Sequence, residues 1–265
     1  MSVRFGHGAA LRRIDRTDTR GASARFKVPG WRLVATLSTV FLLGGCVQRT
    51  AMNEPAAAII QDSFTGGTPE LVWRPYPYFN QDNLKGAVDP TSPEGEPGVG
   101  VLDNRNAGGF AALAYAETRS LADFYLEAWL HVQATKEARG ALNGIAFRVD
   151  PAGDRFYRFA AQFAAEPSLS LAYVGKDTKH FPVIVAEWKG ASIPGGAPKQ
   201  SGWHRVAIEV KDNAAEIFWN GTRLPGGPFA VDRAGPGYIG VYATFSGGLG
   251  IAETRIDGLK VRLPA

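Results

Sequence analysis

The chain has 265 residues, 29 basic against 25 acidic, with 32 glycines, 17 prolines and a single cysteine. One cysteine excludes an intrachain disulfide and a thiolate metal centre. Positions 1 to 46 hold 8 of the basic and 2 of the acidic residues, leaving 21 and 23, so the basic excess belongs to the leader and the remainder lacks the clustered Lys and Arg of a nucleic-acid footprint.

The leader carries Arg4, Arg12, Arg13, Arg16, Arg20, Arg25, Lys27 and Arg32 ahead of the apolar run Leu33 to Gly45. Thirteen residues match the apolar core of a signal peptide and fall short of the roughly 20 that cross a bilayer as a helix. Either translation starts later than Met1 or the first 30 residues are an extended basic region. The pair Arg12-Arg13 lies too far from Leu33 for a twin-arginine signal. Leu43-Gly44-Gly45-Cys46 resembles a bacterial lipobox, in which the cysteine becomes the acylated first residue of the mature chain. Several acyl chains on Cys46 would anchor a soluble domain stably, at about 0.8 kcal/mol per buried methylene. Val47, in place of an aspartate, points to the outer membrane as the address, with the protein held in the cell envelope. Residues 1–45 are thus expected to be a signal segment, disordered or helical, and 46–60 a tether.

From residue 61 the chain reads as one all-β domain. Short alternating runs are separated by Gly, Pro, Asn and Asp, and no 3.6-residue pattern of helical length appears. A Pro- and Gly-rich stretch between Trp73 and Phe110 is long for a connection inside a compact domain, a length often associated with function. Asp123 to Val132 predicts a strand with Phe124, Leu126, Ala128 and Leu130 on one face and Tyr125, Glu127, Trp129 and His131 on the other. Gly144 to Asp150 and Phe156 to Phe163 predict a hairpin around Pro151-Ala152-Gly153-Asp154. Gly190 to Gly202 is a second long loop. Trp203 to Val210 and Ala215 to Trp219 predict another hairpin around Asp212-Asn213, and Asn220-Gly221 has the residues of a type I′ turn, which also accounts for the formal sequon Asn220-Gly221-Thr222. Tyr238 to Phe245 and Ile251 to Leu263 are the closing strands.

The succession Asp62-Ser63-Phe64 with Trp73, Asn143 to Arg148, Tyr157, Gly202 to Val206, Trp219-Asn220-Gly221, Gly237 to Val241 and Ile256 to Leu259 resembles the concanavalin A-like lectin/glucanase superfamily. Within it, the resemblance is to the laminin G-like branch that includes 3-keto-disaccharide hydrolase domains. It implies a two-sheet antiparallel β-sandwich, a jelly roll, over residues 61–265. The family 16 glucanases of this superfamily carry E-x-D-x-x-E on one strand, and no such triplet occurs here, which argues against glucanase chemistry.

The candidate ligand-binding residues are Tyr125, Glu127, Trp129 and His131, joined by Arg148 and Arg158 if the hairpin continues the same face. Aromatic faces stack on sugar C–H surfaces while charged groups take the hydroxyls in directed pairs. Two readings stand beside each other: a glycan-binding strip, or a face packed beneath the Trp73 to Phe110 loop with Glu127 satisfied by an arginine and the charges tied in cross-strand ion pairs. His131, His180 and His204 show no mutual ligand spacing, and no cofactor is expected; loop oxygens of Asp103, Asn104 and Asn106 read either as a calcium rim or as a turn. No nucleophile motif is present, so catalytic residues stay unassigned. The composite expectation is an envelope lipoprotein whose jelly roll binds a glycan. The alternatives are a hydrolase of the 3-keto-disaccharide type using Glu127 with His131, and a structural envelope component.

Overall fold

The computed structural model describes residues 60–79, 83–95, 97–104, 111–134, 140–162, 166–199, 201–244 and 252–263. Residues 1–59, which include the expected signal segment, Cys46 and all but the last residue of the expected tether, lie outside them, as do Asn106, Phe110, Phe163, Phe245 and Ile251; Ile60, expected to end the tether, opens the first strand.

The described residues form strands and single 3-10 turns, with no α-helix. In chain order the strands are β1 (Ile60–Asp62), β2 (Trp73–Pro75), β3 (Lys85–Val88), β4 (Gly98–Asp103), β5 (Ala112–Ala116), β6 (Phe124–Ala134), β7 (Leu142–Asp150), β8 (Arg155–Gln162), β9 (Ser168–Gly175), β10 (Val183–Lys189), β11 (Trp203–Lys211), β12 (Ala214–Trp219), β13 (Thr222–Arg223), β14 (Phe229–Ala230), β15 (Tyr238–Thr244) and β16 (Ala252–Arg262). Nine of them make one sheet in the order β13-β12-β11-β6-β16-β4-β3, with β1 also on β16 and β14 on β12. The other seven make the second sheet, β10-β9-β8-β7-β15-β5-β2.

Period-two alternation drives this arrangement, because successive side chains leave a strand on opposite faces. Phe124, Leu126, Ala128 and Leu130 of β6 meet Phe147, Tyr157 and Phe159 of the other sheet in a single buried core. Phe124 lies edge-on to Phe147 at 6.2 Å, and Phe159 lies edge-on to Trp219 at 6.1 Å. The predicted hairpins form as β7–β8 and β11–β12. Asp212 and Asn213 have φ of 50° and 61°, and Asn220 and Gly221 have 49° and 77°, the positive values that two-residue hairpin turns require. β9 and β10 have no predicted counterpart. β9 is buried on both faces, and β10 is an exposed edge strand.

A second, smaller apolar cluster lies on the outer face of the seven-stranded sheet, where Tyr76, Leu113, Val149, Phe156, Val174 and Tyr242 are buried. Tyr76 and Phe79 cover it, with ring centroids 5.5 Å and 5.8 Å from Phe156. The stretch from Trp73 to Phe110, expected to be one long loop, instead contains β3 and β4 of the nine-stranded sheet, and the segments around them serve both sides of the sandwich. Its first part, 76–79, covers the seven-stranded sheet, and a later part, 89–94, is tied to the nine-stranded one.

One break in periodicity has consequences for the candidate residues. Arg148 adopts φ of 52°, and the β7–β8 register shifts between Phe147 and Asp150. This bulge inverts the side-chain parity, so that Phe147 joins the main core while Val149 joins the outer cluster.

Candidate functional site

The strip Tyr125-Glu127-Trp129-His131 occupies the outer face of β6, at the middle of the nine-stranded sheet. On one side β11 places Glu209, Ala207, Arg205 and Trp203 opposite these four residues; on the other, β16 places Arg262, Lys260, Asp257 and Arg255. Glu127 accepts from Arg205 at 2.6 Å and faces Arg262 at 3.6 Å. Burial, followed by the neighbouring Glu127 charge, pushes the Tyr125 phenol up to about 12. His131 is nearly buried against Trp203, ring centroids 5.1 Å apart, and burial lowers its pKa.

The segment 89–94, between β3 and β4, straps this face. Arg255 donates to Asp89 at 2.6 Å, Trp203 Nε1 to Thr91 Oγ1 at 3.1 Å, and Ser92 Oγ to Asp257 at 2.6 Å. Glu94 then accepts from Trp129 Nε1 at 3.1 Å and from Lys260 Nζ at 2.9 Å. A bulge in β16 makes this fit, since the register shifts between Asp257 and Lys260 and Gly258 has φ of 57°. A Cβ on Gly258 would lie 2.6 Å from Cγ of Glu94, so a glycine is what lets the glutamate lie across the strand. Burial raises the Asp257 carboxyl above its ordinary value, more than its hydrogen bonds from Ser92 and Glu94 lower it.

Between strap and strand remains an open pocket of about 260 Å³, lined by Glu94, Glu127, Trp129, Arg205 and Lys260 with the backbone at Ala128 and Gly258. Trp129 is half-buried there, its indole N–H held by Glu94, so the ring is fixed while part of it faces the pocket. Two carboxylates and two cations beside a fixed aromatic offer acceptors, donors and an apolar surface within one small volume. Both acids of the pocket are ion-paired, Glu127 with Arg205 and Glu94 with Lys260.

Arg148 and Arg158 do not extend this strip. β7 and β8 belong to the other sheet, so the hairpin does not adjoin β6, and Arg158 points out from the opposite side of the sandwich. Arg148 is turned by its bulge into the end of the sandwich, where it donates to Asn213, Val231, Ala234 and Ala122. Both guanidiniums are at most 2% exposed. Of the calcium candidates, Asn104 is fully buried with its amide on the Ala243 carbonyl at 3.4 Å, and Asn106 lies outside the described residues. His204 stacks on Trp219 at 4.5 Å, and His180 on Tyr78 at 5.5 Å, in separate regions. Among the described residues no group of three His, Cys, Asp or Glu side chains is placed to hold a metal.

Glu94, Arg205, Asp257 and Lys260 were not among the predicted site residues. Arg205 was accessible from its alternation with Trp203, and a glycine inside the strand at 258 is a bulge signal. Glu94 had no local signal, because it reaches Lys260 across 166 positions.

Asp89 gives this face a pH dependence. Burial pushes its carboxyl up, but the Thr91 hydroxyl and amide and the Arg255 guanidinium together outweigh burial and hold it below the ordinary value. A native pKa below the unfolded one means that the unfolded chain binds more protons in acid; the contribution is therefore present above about pH 4 and is lost as pH falls through the lowered native value. Asp89→Asn is expected to flatten the acid limb of melting temperature against pH relative to the parent protein. Parallel limbs between about pH 2 and 5 would refute this.

The carbohydrate binding module CBM66 from Bacillus subtilis superposes with a TM-score of 0.51 at 15% identity, covering 73% of this chain and 97% of that one. The cellulose induced protein Cip1 gives 0.51 at 17% identity, covering 77% and 96%. A family 16 endo-glucanase from Bacteroides ovatus gives 0.51 at 11% identity, covering 77% and 99%. The chain is a jelly-roll sandwich. The concanavalin A-like resemblance is consistent with these neighbours, whose identities are low enough that they speak for the fold alone. No family model matches the sequence, and no curated protein matches it significantly.

Proposed function

We propose that the protein is a lipid-anchored envelope protein whose jelly roll binds a glycan in the pocket beside Trp129. The observation that carries this reading is a fixed, partly open tryptophan bordered by Glu94, Glu127, Arg205 and Lys260. Sugars bind to such sites through C–H faces on the ring and hydroxyls on the charged groups. The folds of a carbohydrate binding module and of a glucanase lend support by likeness of architecture. The binding reading is favoured over hydrolysis because Glu127 is tied to Arg205 and Arg262, and His131 packs on Trp203 instead of serving as its acid/base partner. The anchor rests on Leu33 to Gly45 followed directly by Cys46.

Calorimetric titration of the full chain in detergent with β-glucan oligosaccharides tests the pocket. Trp129→Ala is expected to weaken binding by about tenfold or more while the melting temperature stays within a few degrees. Unchanged affinity, or no binding by the parent protein across a glycan array, would reject the assignment. Palmitate labelling of cells tests the anchor: label should disappear with Cys46→Ser, and its persistence would place the lipid elsewhere. Product release from glycans that stops with Glu127→Gln would instead establish the hydrolase.

A further inference from the structure

Arg158 is a buried cation without a counter-charge. It leaves β8 on the outer face of the seven-stranded sheet, between Ala146 of β7 and Ala172 of β9, and is 2% exposed. One Nη donates to Ser170 Oγ at 3.2 Å, and the guanidinium carbon sits 5.3 Å from the centre of the Tyr242 ring. Its Nε has no partner, and among the described residues only Ser170 accepts from it and no carboxylate acts on its charge. Arg148, equally buried and one strand away, also leaves its Nε without a partner, but its two Nη atoms donate to four oxygen acceptors where Arg158 has one. Burying an unpaired charge is among the costliest arrangements a fold can contain, and a single neutral hydroxyl and one ring face do little to offset it.

The surroundings of Arg158 divide into two kinds. Phe156 and Tyr242 form an aromatic wall on one side, while Ser168 and Ser170 of β9 present hydroxyls on the same outer face. The Tyr76 hydroxyl, in the same cluster, is likewise buried without a partner. What closes this face over Phe156 and Tyr242 is the half-buried ring of Phe79, at 5.8 Å and 6.4 Å, attached through a long amide contact of 3.4 Å to the Tyr76 carbonyl.

We propose that the outer face of the seven-stranded sheet is a second ligand site, separate from the Trp129 pocket, for a sugar bearing an oxyanion such as the carboxylate of a uronic acid. The anion pairs with the free edge of Arg158, the sugar ring takes the place of the Phe79 ring against Phe156 and Tyr242, and Ser170 accepts or donates to a hydroxyl. A planar guanidinium suits a carboxylate in a way that an ammonium does not.

Titration of the full chain in detergent with three probes decides this: an oligogalacturonate, the neutral galacto-oligosaccharide of equal length, and sodium sulfate. The oligogalacturonate is expected to bind at least about tenfold more tightly than the neutral sugar. Arg158→Met should abolish that preference, while Trp129→Ala leaves it intact, which separates this site from the pocket on the other face. Arg158→Met should also leave the melting temperature unchanged or raise it, because an apolar side chain of similar volume removes an unpaired buried charge. Equal binding of the charged and neutral sugars, a preference that survives Arg158→Met, or sulfate binding as tightly as the oligogalacturonate would each overturn the proposal. A fall of more than about 5 °C on Arg158→Met would assign the guanidinium to the fold and overturn it too.

Discussion

Arg148→Met is expected to destabilise the protein by about 4 kcal/mol. The guanidinium donates to Asn213 Oδ1 at 2.8 Å, to the carbonyls of Val231 and Ala234 at 2.6 Å and 3.0 Å, and to the carbonyl of Ala122 at 3.0 Å. Those acceptors come from the β11–β12 turn, the segment before β15 and the approach to β6, so one side chain of the seven-stranded sheet ties down the end of the nine-stranded one. Methionine fills comparable volume but leaves three backbone carbonyls and an amide oxygen without their donors, and the cost of an unmade buried hydrogen bond exceeds the gain of a made one. Lysine is expected to recover less than half of the loss, because a single ammonium cannot reach acceptors spread around a fork. The check is urea unfolding of both variants, with a melting-temperature drop of about 10 °C for methionine. A methionine variant within about 1 kcal/mol of the parent would show that water replaces the guanidinium at little cost.

Asp62→Ala should cost nearly as much, about 3 to 4 kcal/mol. The carboxylate is fully buried and accepts four N–H groups: Phe64 N at 3.0 Å and Glu70 N at 3.1 Å on one oxygen, Leu71 N at 3.2 Å and Trp73 Nε1 at 2.9 Å on the other. It closes the 3-10 turn at Thr65–Gly67 and fixes Trp73, whose ring stacks on Phe64 at 6.3 Å. Asp62→Asn separates acceptor chemistry from volume. It keeps the shape, yet turns one oxygen into a donor facing two donors, so it is expected to lose at least half as much as alanine does. Denaturant midpoints followed by tryptophan fluorescence measure both, and an asparagine variant as stable as the parent would reject the acceptor argument.

The strands that positioned the site were legible in the sequence. Alternation placed Tyr125, Glu127, Trp129 and His131 together on one face of β6, and the turns at Asp212-Asn213 and Asn220-Gly221 formed where their residue types allow positive φ. Alternation also misled at Arg148. Parity counted across the residue assigned it to the face of Arg158, whereas one bulge turned it inward to four acceptors. Nothing local distinguishes a regular arginine in a strand from one at a bulge, since the inserted residue is stabilised by acceptors up to 86 positions away.

The sequence by itself determined the period-two strands and the hairpins, because these depend on residues a few positions apart and on rotamers and φ angles set by near neighbours. Tertiary structure decided which sheet each hairpin entered. That choice put Trp129 and Arg158 on opposite sides of the sandwich, and it sent 76–79 over one sheet and 89–94 over the other. The physical reason is reach. Arg255 meets Asp89 across 166 positions and Trp203 meets Thr91 across 112, and such pairings are fixed by how two buried faces pack, which leaves no local pattern in either segment.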